Sequence, residues 1–434
     1  MPQEVAHVSV RNPVLRIVLI IMLLLAAVWS YYAIRWYMGN TLAEYSSPAD
    51  SSVNVPQMAA SMAPNDPLTH WRIAQVSQKL LPLDQQGPAV AEYEKAVSLS
   101  PYDYRLWMSF GTAQEQAGNP AKAEQALKRA VALAPAYAYP HWYLGNLLLR
   151  NGRYDEAFAE LRLASEANPE LRSQQFNFIW AIYGNDREGL KRSVGPSAAA
   201  QAALALYLLG QKHFEEGLGL WDDLSPEEKK ANRDTAQSIV GTLNTNWRFH
   251  DAMQVWNDVS SDKYRAEVGR IFDGGFEEPL AYGGETVFGW QVKNASNVSI
   301  GIDPNKGHSG ARSLRFVFQV RGNIEGINAG QLVPVEPGRE YDFECYVSTD
   351  KLESGSAPLI QILDPTNGSA LASSEMAPGG TNDWRRVSLS FKTGDKTEAV
   401  NLRIMRVSCT SEEMPVCPIF GSVWYDDFSF KRRN

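Results

Sequence analysis

The chain has 434 residues, enough for two or three domains. A hydrophobic fraction of 44% beside 21% charged residues is ordinary for folded protein and excludes global disorder. A formal net charge of -8 with no Lys/Arg cluster excludes a nucleic acid as partner, because phosphate backbones need a concentrated basic surface.

Residues 17–34 run without a charge, and eighteen helical residues span about 27 Å, close to a bilayer core. Arg16 and Arg35 bracket the run, and Trp29, Tyr31, Tyr32, Trp36 and Tyr37 gather at its C-terminal end as interfacial aromatics do. These features predict a transmembrane anchor over 14–37. A cleaved signal peptide is the rival reading, but bulky aromatics follow the apolar core where a small-x-small site belongs. Arg11 and Arg16 precede the span and only Arg35 closely follows it. That bias puts residues 1–13 in the cytoplasm and the body in the periplasm or outside the cell. Residues 38–66, rich in Ser and Pro, read as a linker that becomes a helix cap near Asp66–Pro67.

A repeat follows. AVSLSP, AVALAP and ASEANP end at Pro101, Pro135 and Pro169, 34 residues apart each time. Ala89, Ala123 and Ala157 keep that period, as do Ala96, Ala130 and Ala164, and Gly111 matches Gly145. Small residues at such spacing mark close crossings of paired helices, and Pro ends each second helix. With the WxxxG pattern at Trp107–Gly111, this resembles the tetratricopeptide repeat family over 68–169. Three further helical stretches, 176–184, 203–224 and 243–259, read as divergent repeats that carry the array to about 262, the alternative being a separate small helical domain. The resemblance implies a groove that takes a protein partner, with Tyr104, Gln114, Tyr137 and Asn146 as candidates for its lining.

From about residue 268 the pattern changes to short alternating strands. Leu314, Phe316, Phe318 and Val320 alternate, as do Val387, Leu389 and Phe391, and Val400, Leu402 and Ile404. About eight such runs predict an all-β sandwich over 268–434. IFDGGFE at 271–277, Trp290, GHSGARSLRF at 307–316, Trp384 and VWYDDFSF at 423–430 occur in an order that resembles jelly-roll carbohydrate-binding modules. The resemblance implies a structural calcium held by the Glu277 and Asp426 side chains and by carbonyls of Gly274 and Lys306. It also implies sugar stacking on aromatic residues, with Tyr282, Phe288, Trp290 and Tyr346 as candidates. Cys409 and Cys417 are expected to pair if the compartment is oxidising, which leaves Cys345 as a buried small hydrophobe.

No pattern asks for catalysis. GHSG at 307–310 lacks the GxSxG elbow, no histidine has ligand spacing to another, and no glycine-rich phosphate loop occurs. The expected fold is a membrane helix, an α-helical repeat array and a jelly-roll sandwich. The expected role is a binding scaffold for a protein partner and a glycan in surface polysaccharide assembly or export. The alternative is an assembly factor that binds proteins alone.

Overall fold

The computed structural model describes residues 13–46, 52–82, 85–280, 287–293, 298–318, 328–407 and 417–433. The chain forms two compact units, Met1–Pro196 and Ser197–Asn434.

The first unit is helical. Helix α1 (Pro13–Tyr45) is long and apolar enough to cross a membrane, as a signal sequence also is, and its surface is exposed almost throughout to Met38. Its last turns differ. Gly39 and Ala43 are buried where α1 crosses α2 (Asn54–Met62), and a Cβ on Gly39 would lie 2.8 Å from both the Ala59 carbonyl oxygen and the Ala63 Cβ. Asn40 donates to Asp66 (2.7 Å), Arg35 to the Ser61 carbonyl (2.6 Å) and Arg72 to the Ala43 carbonyl (3.1 Å). The 38–66 segment therefore contains the end of α1 and all of α2, not a tether.

Three helix pairs follow: α3 (Pro67–Leu80) with α4 (Gly87–Leu99), α5 (Tyr104–Gln116) with α6 (Pro120–Leu133), and α7 (Ala138–Arg150) with α8 (Tyr154–Ala167). Asp66 and Asp103 cap α3 and α5 by accepting from Leu68 N and Arg105 N, and Pro begins α3 and α6, where its missing N–H costs nothing. A Cβ on Gly111 would sit 2.7 Å from Leu127, and one on Gly145 would sit 2.7 Å from Leu161. The periodic glycines are thus the crossing points, and the Gly39 crossing makes the end of α1 and α2 resemble an N-terminal cap on the array. Neighbouring pairs are tied by Trp71 to Ser109 (3.1 Å), Gln78 to Gln116 (2.6 Å) and Arg150 to Glu115 (2.5 and 2.8 Å). Buried His70 and His141 each bond a glutamate of the paired helix at 2.6 Å (Glu92, Glu160) and a turn carbonyl at 2.9 Å (Pro64, Pro135). Helices α9 (Arg172–Tyr183) and α10 (Arg187–Val194) end the unit. Gly145→Val is expected to lower its stability by about 1–3 kcal/mol by forcing the α7–α8 crossing apart. Urea denaturation followed by helical circular dichroism checks this, and an unchanged midpoint would mean that the crossing has room.

In the second unit, α11 (Ala198–Gly210) crosses α12 (Phe214–Asp222) at Gly217, whose Cβ would lie 2.7 Å from Leu209. Short α13 (Pro226–Ala231) is followed by α14 (Arg233–Thr245) and α15 (Phe249–Val259). Trp221 donates to Asp258 (2.9 Å), which pins α12 to α15. The His250 ring bonds the Val335 carbonyl (2.9 Å), and His250 N donates to Glu398 (3.1 Å), so α15 rests on the β-domain. These helices group with the sandwich rather than with the repeats before residue 196.

The sandwich has two five-stranded antiparallel sheets. One has the order β1 (Gln291–Lys293), β4 (Asn328–Pro334), β9 (Ala399–Met405), β6 (Leu359–Leu363), β7 (Ala370–Ser373); the other β2 (Val298–Asp303), β3 (Ser313–Phe318), β10 (Ile419–Arg432), β5 (Glu340–Ser354), β8 (Gly380–Lys392). Alternate residues point inward: Leu314, Phe316 and Phe318, then Tyr341, Phe343, Cys345 and Val347, then Val400, Leu402 and Ile404. Cys345 is a free, fully buried thiol, and burial pushes its pKa up. Cys417 is disulfide-bonded, and Cys409 lies outside the described residues.

Candidate functional site

One end of the sandwich gathers the residues expected to hold a cation. A bulge in β10 between Asp426 and Ser429, with Asp427 at φ 52°, turns Asp426 inward until it is fully buried. Its carboxylate accepts from His308 N (2.6 Å) and Asp427 N (2.7 Å). Glu277 accepts from Ala311 N (3.0 Å) and Arg312 N (3.3 Å), so both acids brace the 306–313 turn. The Gly274 carbonyl accepts from Phe428 N (2.9 Å), and the Lys306 carbonyl accepts from the Ser313 hydroxyl. Only glycine fits at 274, because a Cβ would lie 2.0 Å from the Phe428 oxygen. The four predicted positions are thus tied to one turn and one bulge.

Desolvation pushes the Asp426 carboxyl up to about 6, and no Lys or Arg pairs with it among the described residues. A buried carboxylate without a cation is the charge environment a hard metal ion relieves. Among the described residues no three His, Cys, Asp or Glu side chains converge on one point. The donor set would therefore be two carboxylates completed by carbonyls, which suits calcium's preference for oxygen. The Lys306 amine lies elsewhere, 3.5 Å over the Trp424 ring.

The aromatic candidates separate. Tyr282 lies outside the described residues. Phe288 and Trp290 are each 3% exposed, so neither presents a ring face to a sugar. Trp290 packs on Phe276 (4.8 Å) and Phe428 (5.0 Å) and donates to the Asp273 carbonyl (3.1 Å). These two expected platforms are core, because the N-terminal segment folds under the end of β10. Tyr346 is half-buried on the outer face of the β5 sheet, and His308 already stacks on it at 3.6 Å. His308 and the Ser309 hydroxyl both bond Asp427 (2.6 and 2.5 Å), so the GHSG hydroxyl is paired with a carboxylate and not with an imidazole.

The other sheet carries a feature that the sequence reading missed. Gln291 pairs with Gly330, Gly330 with Arg403, Arg403 with Gln361, and Gln361 with Ser373. Register partners share a face, so these five form one row across every strand of that sheet. All are exposed or half-buried. Gly330 makes room, since a Cβ there would lie 3.2 Å from the Arg403 side chain and 2.7 Å from the Leu402 carbonyl. Gln291, Gly330, Leu332, Asn401 and Arg403 line a depression of about 340 Å³. No carboxylate pairs with Arg403 among the described residues. The available signal was the outward set of each alternating strand, Asn401 and Arg403 between the inward Val400, Leu402 and Ile404.

In the repeats, the rings of Tyr104 and exposed Tyr137 pack in a tilted arrangement at 5.3 Å, Asn146 bonds the Trp142 carbonyl (2.8 Å), and Gln114 is buried against Asn119 (3.1 Å). Gln114 therefore holds the turn after α5 and is closed to a partner.

Comparison with known proteins agrees with this architecture. Residues 84–138 and 115–176 match tetratricopeptide repeat families, and residues 269–406 match a carbohydrate binding domain family. Among solved structures, the chain is similar to a CBM4 structure (14% identity, 38% of this chain, 99% of that chain, TM-score 0.29). It is also similar to the tetratricopeptide protein YrrB, described as having an unusual peptide-binding site (15%, 48%, 92%, 0.25). A CBM22-1 xylan-binding domain from Paenibacillus barcinonensis also matches (16%, 38%, 97%, 0.25). No curated protein matches the chain significantly.

Proposed function

We propose that this chain is a membrane-held binding protein whose sandwich takes a glycan across the Gln291–Gly330–Arg403–Gln361–Ser373 row. Its repeats take a protein partner, in the assembly or export of a surface polysaccharide. The row carries the reading: a shallow, uncharged-to-cationic strip of hydrogen-bonding side chains suits the hydroxyls of an extended sugar chain. The match of 269–406 to a carbohydrate binding domain supports it. The buried end of α1 supports an uncleaved anchor, because removing the whole helix would strip α2 of its crossing partner. The charge bias then leaves the N-terminus cytoplasmic and the folded body outside. The bulge at Asp426 would hold calcium, with Glu277, Gly274 and Lys306 as its other ligands, and the ion would brace the loops at that end.

The test is calorimetric titration of polysaccharides into the full chain. Arg403→Ala is expected to weaken binding by roughly tenfold or more, the usual worth of a hydrogen bond to a charged group. Unchanged affinity in that variant would reject this face.

One observation favours a second reading. No aromatic ring stands in the row, whereas many sugar sites stack a ring on one. On that reading the sandwich binds protein and the chain is an assembly factor without a glycan ligand. A broad polysaccharide panel with no saturable binding, beside a retained protein partner on the repeats, would select it.

A further inference from the structure

The repeat array is joined directly to the end of α1, so one of its edges is set at a definite height along that helix. Asn40 of α1 donates to Asp66, just before α3 (2.7 Å). The bonds from Trp71 to Ser109 and from Gln78 to Gln116 each span 38 residues. Helices α3 and α5 therefore run side by side, with Tyr104 level with Asp66. The bond from Arg150 to Glu115 spans 35 residues, which brings Tyr139 of α7 to the same level. The turns that enter α5 and α7 thus lie at the height of Asn40. Asn40 is three residues past Tyr37, about 4.5 Å along the helix. A headgroup layer is about 5–7 Å deep, and Trp36 and Tyr37 stand where it begins if α1 spans a bilayer.

The same two turns are built unlike those at the other end of these helices. Tyr102, Tyr137 and Tyr139 are 79%, 59% and 55% exposed. Residues 134–140, APAYAYP, carry no charge, and Asp103 and Arg105 beside Tyr102 bond each other at 2.7 Å. At the far end the turns are polar, with Gly118 and Asn119 after α5 and Arg150, Asn151 and Arg153 after α7. The turn after α8 is charged again, with Glu170 and Arg172, which ends the tyrosine edge. A tyrosine ring with an apolar body and a polar tip suits the boundary between lipid and water. We propose that Tyr102, Tyr137 and Tyr139 seat this edge of the array in the headgroup layer of the membrane that holds α1. The array then lies against the lipid surface instead of standing free of it. The inference rests on α1 being a membrane helix and is independent of glycan binding. Because the edge has no unpaired charge in these turns, it fits a zwitterionic surface and needs no anionic lipid.

The experiment puts a spin label on Ala136→Cys in the full chain, held in phosphatidylcholine nanodiscs, with the parent chain's own label signal subtracted. Ala136 is exposed, so this change should fold normally. Collision of the label with a water-soluble nickel chelate and with oxygen is measured. Leu24→Cys in α1 and Asn151→Cys at the far end of α7 serve as references, both at exposed positions. The label at 136 is expected to meet nickel several-fold less often, and oxygen more often, than the label at 151. Adding Tyr137→Ser and Tyr139→Ser is expected to restore nickel collision at 136. A label at 136 as open to nickel as that at 151, with 24 shielded, overturns the docking and leaves the anchor standing. Low nickel and low oxygen together mean shielding by protein and overturn it too. So does shielding that survives the two serine replacements, which would take the tyrosines out of the contact. If the label at 24 is open to nickel, α1 is not in the bilayer, and the anchor and this proposal fail together.

Discussion

Replacement of Trp290 by alanine is expected to cost the sandwich about 3–5 kcal/mol, the usual range for truncating a buried aromatic. The ring is 3% exposed and is held between Phe276 and Phe428 at 4.8 and 5.0 Å. Its indole N–H donates to the Asp273 carbonyl, and Asp273, at φ 45°, in turn accepts from Glu277 N (2.9 Å) and Glu278 N (3.1 Å). Loss of the ring therefore leaves a cavity, takes from the Asp273 carbonyl one of its two donors, the other being Phe276 N (3.1 Å), and loosens Glu277. Urea denaturation of the full chain, followed by a signal from the sandwich, measures the loss. A variant with wild-type stability and no glycan binding would instead make Trp290 a sugar platform and would contradict its burial.

Calcium is expected to raise the melting temperature of the sandwich relative to chelated protein. At a thousandfold excess over its dissociation constant a bound ion adds about 4 kcal/mol, which for a unit of this size is on the order of 10 °C. The source of the effect is Asp426, a carboxylate desolvated without a cation and braced by backbone amides, among them those of His308 and Asp427. Asp426→Ala also unpairs those amides, so its absolute stability is ambiguous and the calcium increment is the quantity to read. Glu277→Gln keeps an acceptor for Ala311 N and Arg312 N while removing the charge, and it should lose most of the increment. Scanning calorimetry with calcium and with chelator checks both variants. No shift in wild-type protein at millimolar calcium would remove the ion from this end of the sandwich.

Much of the architecture was legible because it is written in local periods. The recurrence of Ala and Gly every 34 residues follows from helix pairs that must cross closely, and the crossings at Gly111 and Gly145 occupy the predicted places. Alternation in 314–318, 341–347 and 400–404 predicted inward faces that form the core. The order of the IFDGGFE, GHSG and WYDDF segments carried the resemblance to a jelly-roll module, and the structure ties them together at Glu277, His308 and Asp426. The capping role of Gly39 was missed because one crossing has no period, and Ser/Pro content masked α2.

What composition could not separate was one buried aromatic from one half-buried on an outer sheet face. Trp290 and Tyr346 are alike as letters, and only the path of the N-terminal segment under β10 buries the first. The row from Gln291 to Ser373 depends on the register of four strand pairs, three of them distant in sequence. The amino-acid sequence by itself determined the helix that is long and apolar enough for a membrane, the repeat array and the sandwich, because hydrophobic periodicity is carried by neighbours along the chain. Tertiary structure alone decided which side chains meet on a sheet face, because strand register and sheet divergence are settled by packing between distant segments.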